Sequence, residues 1–132
     1  MKIITSNFIL ILLMIALLSS CSFLNRNEEY LYYQWASVNK INVLSNQKGN
    51  LKLKLDLSVP TPCHEFHTRV IDINEDTIFV KYYSKVKRDI PCILIIGNIV
   101  YYDSFQLQSG KIYLFKFFKS DKETLDTLIF IN

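Results

Sequence analysis

The chain has 132 residues, half of them hydrophobic, with 15 Lys and Arg against 12 Asp and Glu for a formal charge of +3. That length leaves room for one domain with a single core, and a charge so small and so evenly interspersed excludes the basic footprint of a nucleic-acid binder. Much of the apolar excess sits in the first 20 residues, so the remainder has the composition of an ordinary folded domain, rich in aromatics.

In chain order, Lys2 provides a short positive end and Phe8 to Leu18 an unbroken apolar run, FILILLMIALL. Leu18, Ser19 and Ser20 then place small residues just before Cys21. These are the three parts of an export leader. The run is 11 residues long; as a helix rising about 1.5 Å per residue it would cover roughly half of a hydrocarbon core of about 30 Å, too little for a permanent span.

The order Leu-Ser-Ser-Cys resembles the lipobox of bacterial lipoproteins. The resemblance implies a signal peptide over residues 1–20, cleavage before Cys21, and fatty acylation of Cys21. It also implies attachment to the cell envelope, since two or three acyl chains anchor stably where one does not. In Gram-negative lipoproteins a residue other than Asp after the cysteine favours the outer membrane, and here that residue is Ser22. Residues 21–35 would be the lipidated cysteine and a tether, and residues 36–132 the folded domain. The alternative is an ordinary secretory signal with a chance cysteine at the cut.

If Cys21 carries lipid, the remaining two of the three cysteines, Cys63 and Cys92, are an even pair in an oxidising compartment and are expected to form a disulfide. Closing a loop of about 30 residues is worth roughly 3 to 4 kcal/mol in the chain-entropy model. Two free thiols in a metal or redox role are the alternative, but there is no Cys-x-x-Cys.

Past the tether the period is 2 almost everywhere. Leu51, Leu53, Leu55, Leu57 and Val59 alternate with Lys52, Lys54, Asp56 and Ser58, the pattern of a strand with one wet face. Further strands are expected at Val38–Ser45, Phe66–Ile73, Thr77–Ser84, Cys92–Tyr101, Lys111–Lys119 and Thr124–Ile131. Hairpin turns are expected at Asn46–Asn50, Asn74–Asp76 and Ser120–Glu123. Lys85–Asp89 reads as a charged loop, Gly97-Asn98 as a bulge or bend, and Glu28–Ala36 as the one place for a short helix. Ile93–Ile96, four apolar residues in a row, would bury both faces of their strand.

About seven short strands with closely spaced turns point to an all-β, antiparallel sandwich. The stretch Phe105 to Phe117, with Leu107, Gly110 and Tyr113 ahead of alternating core residues, resembles the penultimate strand of immunoglobulin and fibronectin type III domains. The resemblance implies an immunoglobulin-like sandwich with Tyr113 as its corner tyrosine, ring buried and hydroxyl bonded to nearby backbone. The chain also resembles small bacterial lipoproteins with one such domain, in which a cysteine followed by an aromatic pairs with another about 30 residues on, here Cys63, Phe66 and Cys92. Two features depart from antibody domains: the bridge does not link their usual positions, and Trp35 lies too early to be their core tryptophan.

Chemistry is sparse. Cys63-His64-Glu65-Phe66-His67 contains zinc-ligand types, but on a strand His64 and His67 point to opposite faces, and a bridged Cys63 is no thiolate. No metal site, cofactor or catalytic set is expected, and there is no Gly-rich phosphate loop, His-Glu-x-x-His or Gly-x-Ser-x-Gly. The aromatics are the stronger lead. In the pairs Tyr82-Tyr83, Tyr101-Tyr102 and Phe117-Phe118, alternation sends one ring inward and one outward. Tyr30, Tyr32, Tyr33 and Trp35 crowd the start of the domain.

The outward rings either pack under loops or form an exposed patch for a protein, peptide or glycan. For the group nearest the lipid, a place at the membrane interface is a third option. The candidate binding surface is Tyr33, Trp35, Tyr83, Tyr102 and Phe118. The function expected from these features is non-enzymatic: a lipid-anchored envelope binding or structural module, its partners the membrane through Cys21 and an envelope protein or glycan. The alternative is an inhibitor of a hydrolase, lysozyme or protease, using the Lys85–Pro91 loop.

Overall fold

The computed structural model describes residues 31–88 and 90–132. The leader, Cys21 and most of the tether lie outside the described residues. Seven strands follow one another: β1 (Leu31–Gln47), β2 (Asn50–Val59), β3 (Glu65–Asn74), β4 (Thr77–Lys87), β5 (Gly97–Gln106), β6 (Ile112–Ser120) and β7 (Glu123–Phe130). No helix occurs among the described residues.

The strands form two layers joined by β1. Its first part, Leu31 to Ala36, pairs antiparallel with the end of β4, and its second part, from Ser37 onward, pairs antiparallel with β2. One layer is therefore β1-β2-β5, and the other holds β3, β4, β6 and β7 with the first part of β1. The layers meet face to face across a core of β2 leucines, Ile78, Val80 and Tyr82 from β4, and Phe115 and Phe117 from β6. Rings cross the gap, with Tyr101 of β5 stacked on Phe66 of β3 at 3.9 Å and Phe105 edge-on to Phe115 at 5.2 Å.

The expected alternation of β2 holds, with its leucines fully buried and its lysines and Asp56 on the wet side. The first hairpin turns on Lys48 and Gly49, both at positive φ (51° and 77°), the geometry of a two-residue turn matched to strand twist. A Cβ on Gly49 would lie 2.4 Å from the Leu107 carbonyl oxygen, so both conformation and space require glycine.

Four expectations are corrected. The sheet is mixed rather than purely antiparallel: β4 and β6 run parallel, Thr77 opposite Leu114 through Val80 opposite Phe117. A parallel pair needs a crossover, and here the chain leaves β4, traverses the other layer as β5, and returns as β6. In an immunoglobulin domain the third and sixth strands are neighbours; here β4 lies between β3 and β6.

The second correction concerns the start of the domain. Residues 31–35 are strand, not tether, and the helix allowed up to Ala36 is absent there. Tyr and Trp suit a pleated surface, and β4 supplies the ladder that local sequence cannot reveal. By the same pairing, Lys85–Lys87 belong to β4 rather than to a charged loop.

Third, β5 begins at Gly97, and Ile93–Ile96 lie before it, exposed rather than buried on both sides. Pro91 and the bridged Cys92 hold this segment off the ladder.

Fourth, Tyr113 is buried, yet its hydroxyl makes no hydrogen bond among the described residues. The buried phenol with a partner is Tyr82, which donates to Asp103 Oδ2 at 2.7 Å.

Cys63 and Cys92 are joined, 29 residues apart in sequence with Cα atoms 6.1 Å apart. The bond ties the β2–β3 connection to the β4–β5 connection. It marks the end of the molecule where β1 begins, since Leu31 lies opposite Lys87. The far end is closed by Asn132, whose carbonyl accepts from Gly49 N at 2.8 Å and whose backbone N donates to Asn46 Oδ1 at 3.1 Å.

Candidate binding surface

Strand register decides which aromatics share a face. In β4 the inward residues are Ile78, Val80, Tyr82 and Ser84, so Phe79, Lys81, Tyr83 and Lys85 point outward. Trp35 stands opposite Tyr83 and Tyr33 opposite Lys85 across the β1–β4 ladder, which puts both rings on that outer face. Phe118 joins them because Phe117 is inward. Four of the five expected residues therefore lie together. Tyr102 does not: it is on β5 opposite Lys54, on the outer face of the other layer.

Two of the four rings share one cation, and a third packs on one of them. Trp35 meets Phe118 edge-on, with centroids 5.2 Å apart. The Lys81 ammonium lies 4.0 Å from the Phe118 centroid and 5.7 Å from that of Tyr83, distances at which the negative face of each ring attracts it. Tyr33 extends the group to His67, ring to ring at 4.6 Å. Tyr33 remains half exposed (50%) and Trp35 more than a third exposed (37%), so packing on neighbours covers them only in part.

Beside these rings a shallow hollow of about 200 Å³ is lined by Val70, Phe79, Lys81, Lys116, Phe118 and Thr124. Lys116 is held by Asp126 at 2.8 Å, and Thr124 donates to the other oxygen of that carboxylate at 2.6 Å. Those two hydrogen bonds hold the Asp126 carboxyl below its usual range. Past this pair the face continues as Ile112, Leu128 and Phe130, all exposed, with Leu114 between them.

The apolar extension of Ile112, Leu128 and Phe130 is not among the residues that the sequence singles out. In the last hairpin both faces read as apolar, so alternation could not say which side met the core. The signal that would have found it is the pairing of Ile112 with Phe130, which only the sheet register supplies.

Beneath the face, on the inner side, lies a buried polar cluster. Asp103 is ion-paired with Arg69, accepts from the Tyr82 hydroxyl, and accepts from the Ser104 backbone N at 2.7 Å. Arg69 also lies over the Phe105 ring at 4.9 Å and donates to the Ser104 carbonyl at 3.3 Å. Burial pushes the Tyr82 phenol well above its ordinary range; the Arg69 charge opposes this and Tyr101 adds to it. The cluster ties β3, β4 and β5 together.

His64 is buried, its Nδ1 2.9 Å from Thr61 Oγ1, whereas His67 is exposed against Tyr33. No group of three metal-ligating side chains comes together among the described residues. Of the loop considered for hydrolase inhibition, Lys85 is in β4 and paired with Glu65 at 3.2 Å, and the exposed connection starts at Arg88. No protein-family model, curated protein or solved structure matches the chain.

Proposed function

We propose that this chain is a lipid-anchored envelope protein whose folded domain, an immunoglobulin-like sandwich with a rearranged second sheet, binds a protein partner through the outer face of β1, β4 and β6. The observation that carries the proposal is the placing of Tyr33, Trp35, Tyr83 and Phe118 on one face, with Lys81 over the Tyr83 and Phe118 rings and Trp35 edge-on to Phe118, continued by exposed Ile112, Leu128 and Phe130. A face on which an aromatic group is continued by an apolar extension across β6 and β7 suits a protein surface better than a glycan. Aromatic anchors of this kind supply most of the energy in protein interfaces.

The immunoglobulin-like assignment draws support from the β1-β2-β5 layer, whose order matches the first, second and fifth strands of such domains. The anchor draws support from the apolar run and Leu-Ser-Ser-Cys order ahead of Cys21, and attachment there would confine binding to the envelope.

Two variants test the proposal. Cys21→Ser is expected to accumulate as an uncleaved precursor that takes up no fatty-acid probe; normal processing and labelling would refute the anchor. Trp35→Ala combined with Phe118→Ala is expected to abolish capture of an envelope protein while leaving the denaturant midpoint near that of the parent. Undiminished capture would refute the assignment of the face.

A further inference from the structure

Ile93, Leu94, Ile95 and Ile96 are consecutive, apolar and largely in solvent, Leu94 at 92% exposure. A contiguous apolar run left in water marks contact with another chain or another phase. The run is anchored at both ends. Cys92 before it is bonded to Cys63, and Gly97 after it sits so close to the β2–β3 connection that a Cβ would lie 2.6 Å from the Thr61 carbonyl oxygen. It is therefore held out as a short apolar ledge.

The ledge stands at the end of the molecule where the described chain begins, because β4 leads into it and the last residue of β4, Lys87, pairs with Leu31. Cys21 precedes Leu31 by only ten positions, a distance of at most about 35 Å even when fully extended. Tyr32 is exposed at the same end, and such a ring favours the membrane–water boundary. A second copy of the chain is a poorer occupant, since four loop side chains fall well short of the roughly 800 Å² per partner that a stable interface buries.

We infer that this end of the domain docks on the bilayer with Ile93–Ile96 inserted at the acyl boundary; the inference rests on Cys21 being the lipid anchor. Docked in this way, the strands rise from the membrane, and the aromatic face is turned sideways toward a partner instead of down onto lipid.

The test places a fluorophore on the ledge. Trp35 is the only tryptophan, so Leu94→Trp in a Trp35→Phe background reports that position alone. The full chain, purified after processing in cells, is reconstituted in phosphatidylethanolamine and phosphatidylglycerol vesicles with and without brominated acyl chains. Blue-shifted emission that is quenched several-fold by the brominated lipid is the expected result. Water-like, unquenched emission overturns the inference, as does blue-shifted emission that brominated lipid leaves unquenched, which would mean that protein covers the ledge. Ile96→Trp in the same background repeats the measurement should the first variant fold poorly. The intact mass of the same sample reports acylation of Cys21 separately. An acylated chain with an unquenched ledge overturns docking and leaves the anchor standing, whereas quenching in an unacylated chain supports insertion and refutes the anchor.

Discussion

The side chain whose removal is most informative about the interior is Tyr82. It is fully buried and donates to Asp103, which is itself buried against Arg69. Tyr82→Phe removes the donor and leaves the acceptor in place, a change expected to cost about 1 to 2 kcal/mol in denaturant melts. Tyr113→Phe, which deletes a hydroxyl without a hydrogen-bond partner among the described residues, is expected within about 0.5 kcal/mol of the parent. Arg69→Met should cost more than either, on the order of 3 kcal/mol, because it strands the buried Asp103 carboxylate. Tyr82 also gives stability a pH dependence. Its phenol is neutral in the folded state to higher pH than in the unfolded chain. The unfolded state therefore releases that proton first, and stability, unaffected by this group below about pH 10, falls as pH rises beyond it. Melts across pH 9 to 11 should show this decline in the parent and a weaker one in Tyr82→Phe.

Among the elements, those legible in the sequence were the ones whose alternation is unambiguous. Leu51 to Val59 could only be a half-buried strand, and Asn74-Glu75-Asp76 and the Lys48-Gly49 corner could only be turns, so β2, β3, β4 and the hairpins fell within a few residues of expectation. What local pattern cannot carry is which strand lies beside which. The parallel β4–β6 pair, the passage of β1 between layers at Ala36, and the union of Trp35 with Phe118 all depend on contacts remote in sequence. Ile93–Ile96 misled for a different reason: an apolar run reads as buried unless something keeps it off the sheet, and here Pro91 and the bridged Cys92 do so. Two element-level outcomes follow. Cys63→Ala with Cys92→Ala should lower stability by roughly 3 kcal/mol, read from the urea midpoint. Gly49→Ala should cost more than 1 kcal/mol, because the turn needs positive φ and the added carbon meets the Leu107 carbonyl.

For the whole molecule, the two outer faces act as controls for one another. The face of β1, β4 and β6 carries Lys81 over Tyr83 and Phe118, with Trp35 against Phe118, while the β2 and β5 face carries Lys52, Lys54 and Asp56 with Tyr102 standing among them. Both faces are reachable from solvent, so exposure alone does not separate them; the continuous ring cluster and its apolar extension do. A docked ledge at the disulfide end would leave both faces upright in the envelope, equally free to meet a partner. The most direct measurement is therefore site-specific photo-crosslinking in intact cells, with a benzophenone side chain installed in place of Tyr83 in one strain and in place of Tyr102 in another. The expected result is a discrete protein adduct from position 83 and none from position 102. Adducts from position 102 alone, or from neither, would contradict the assignment of the binding face.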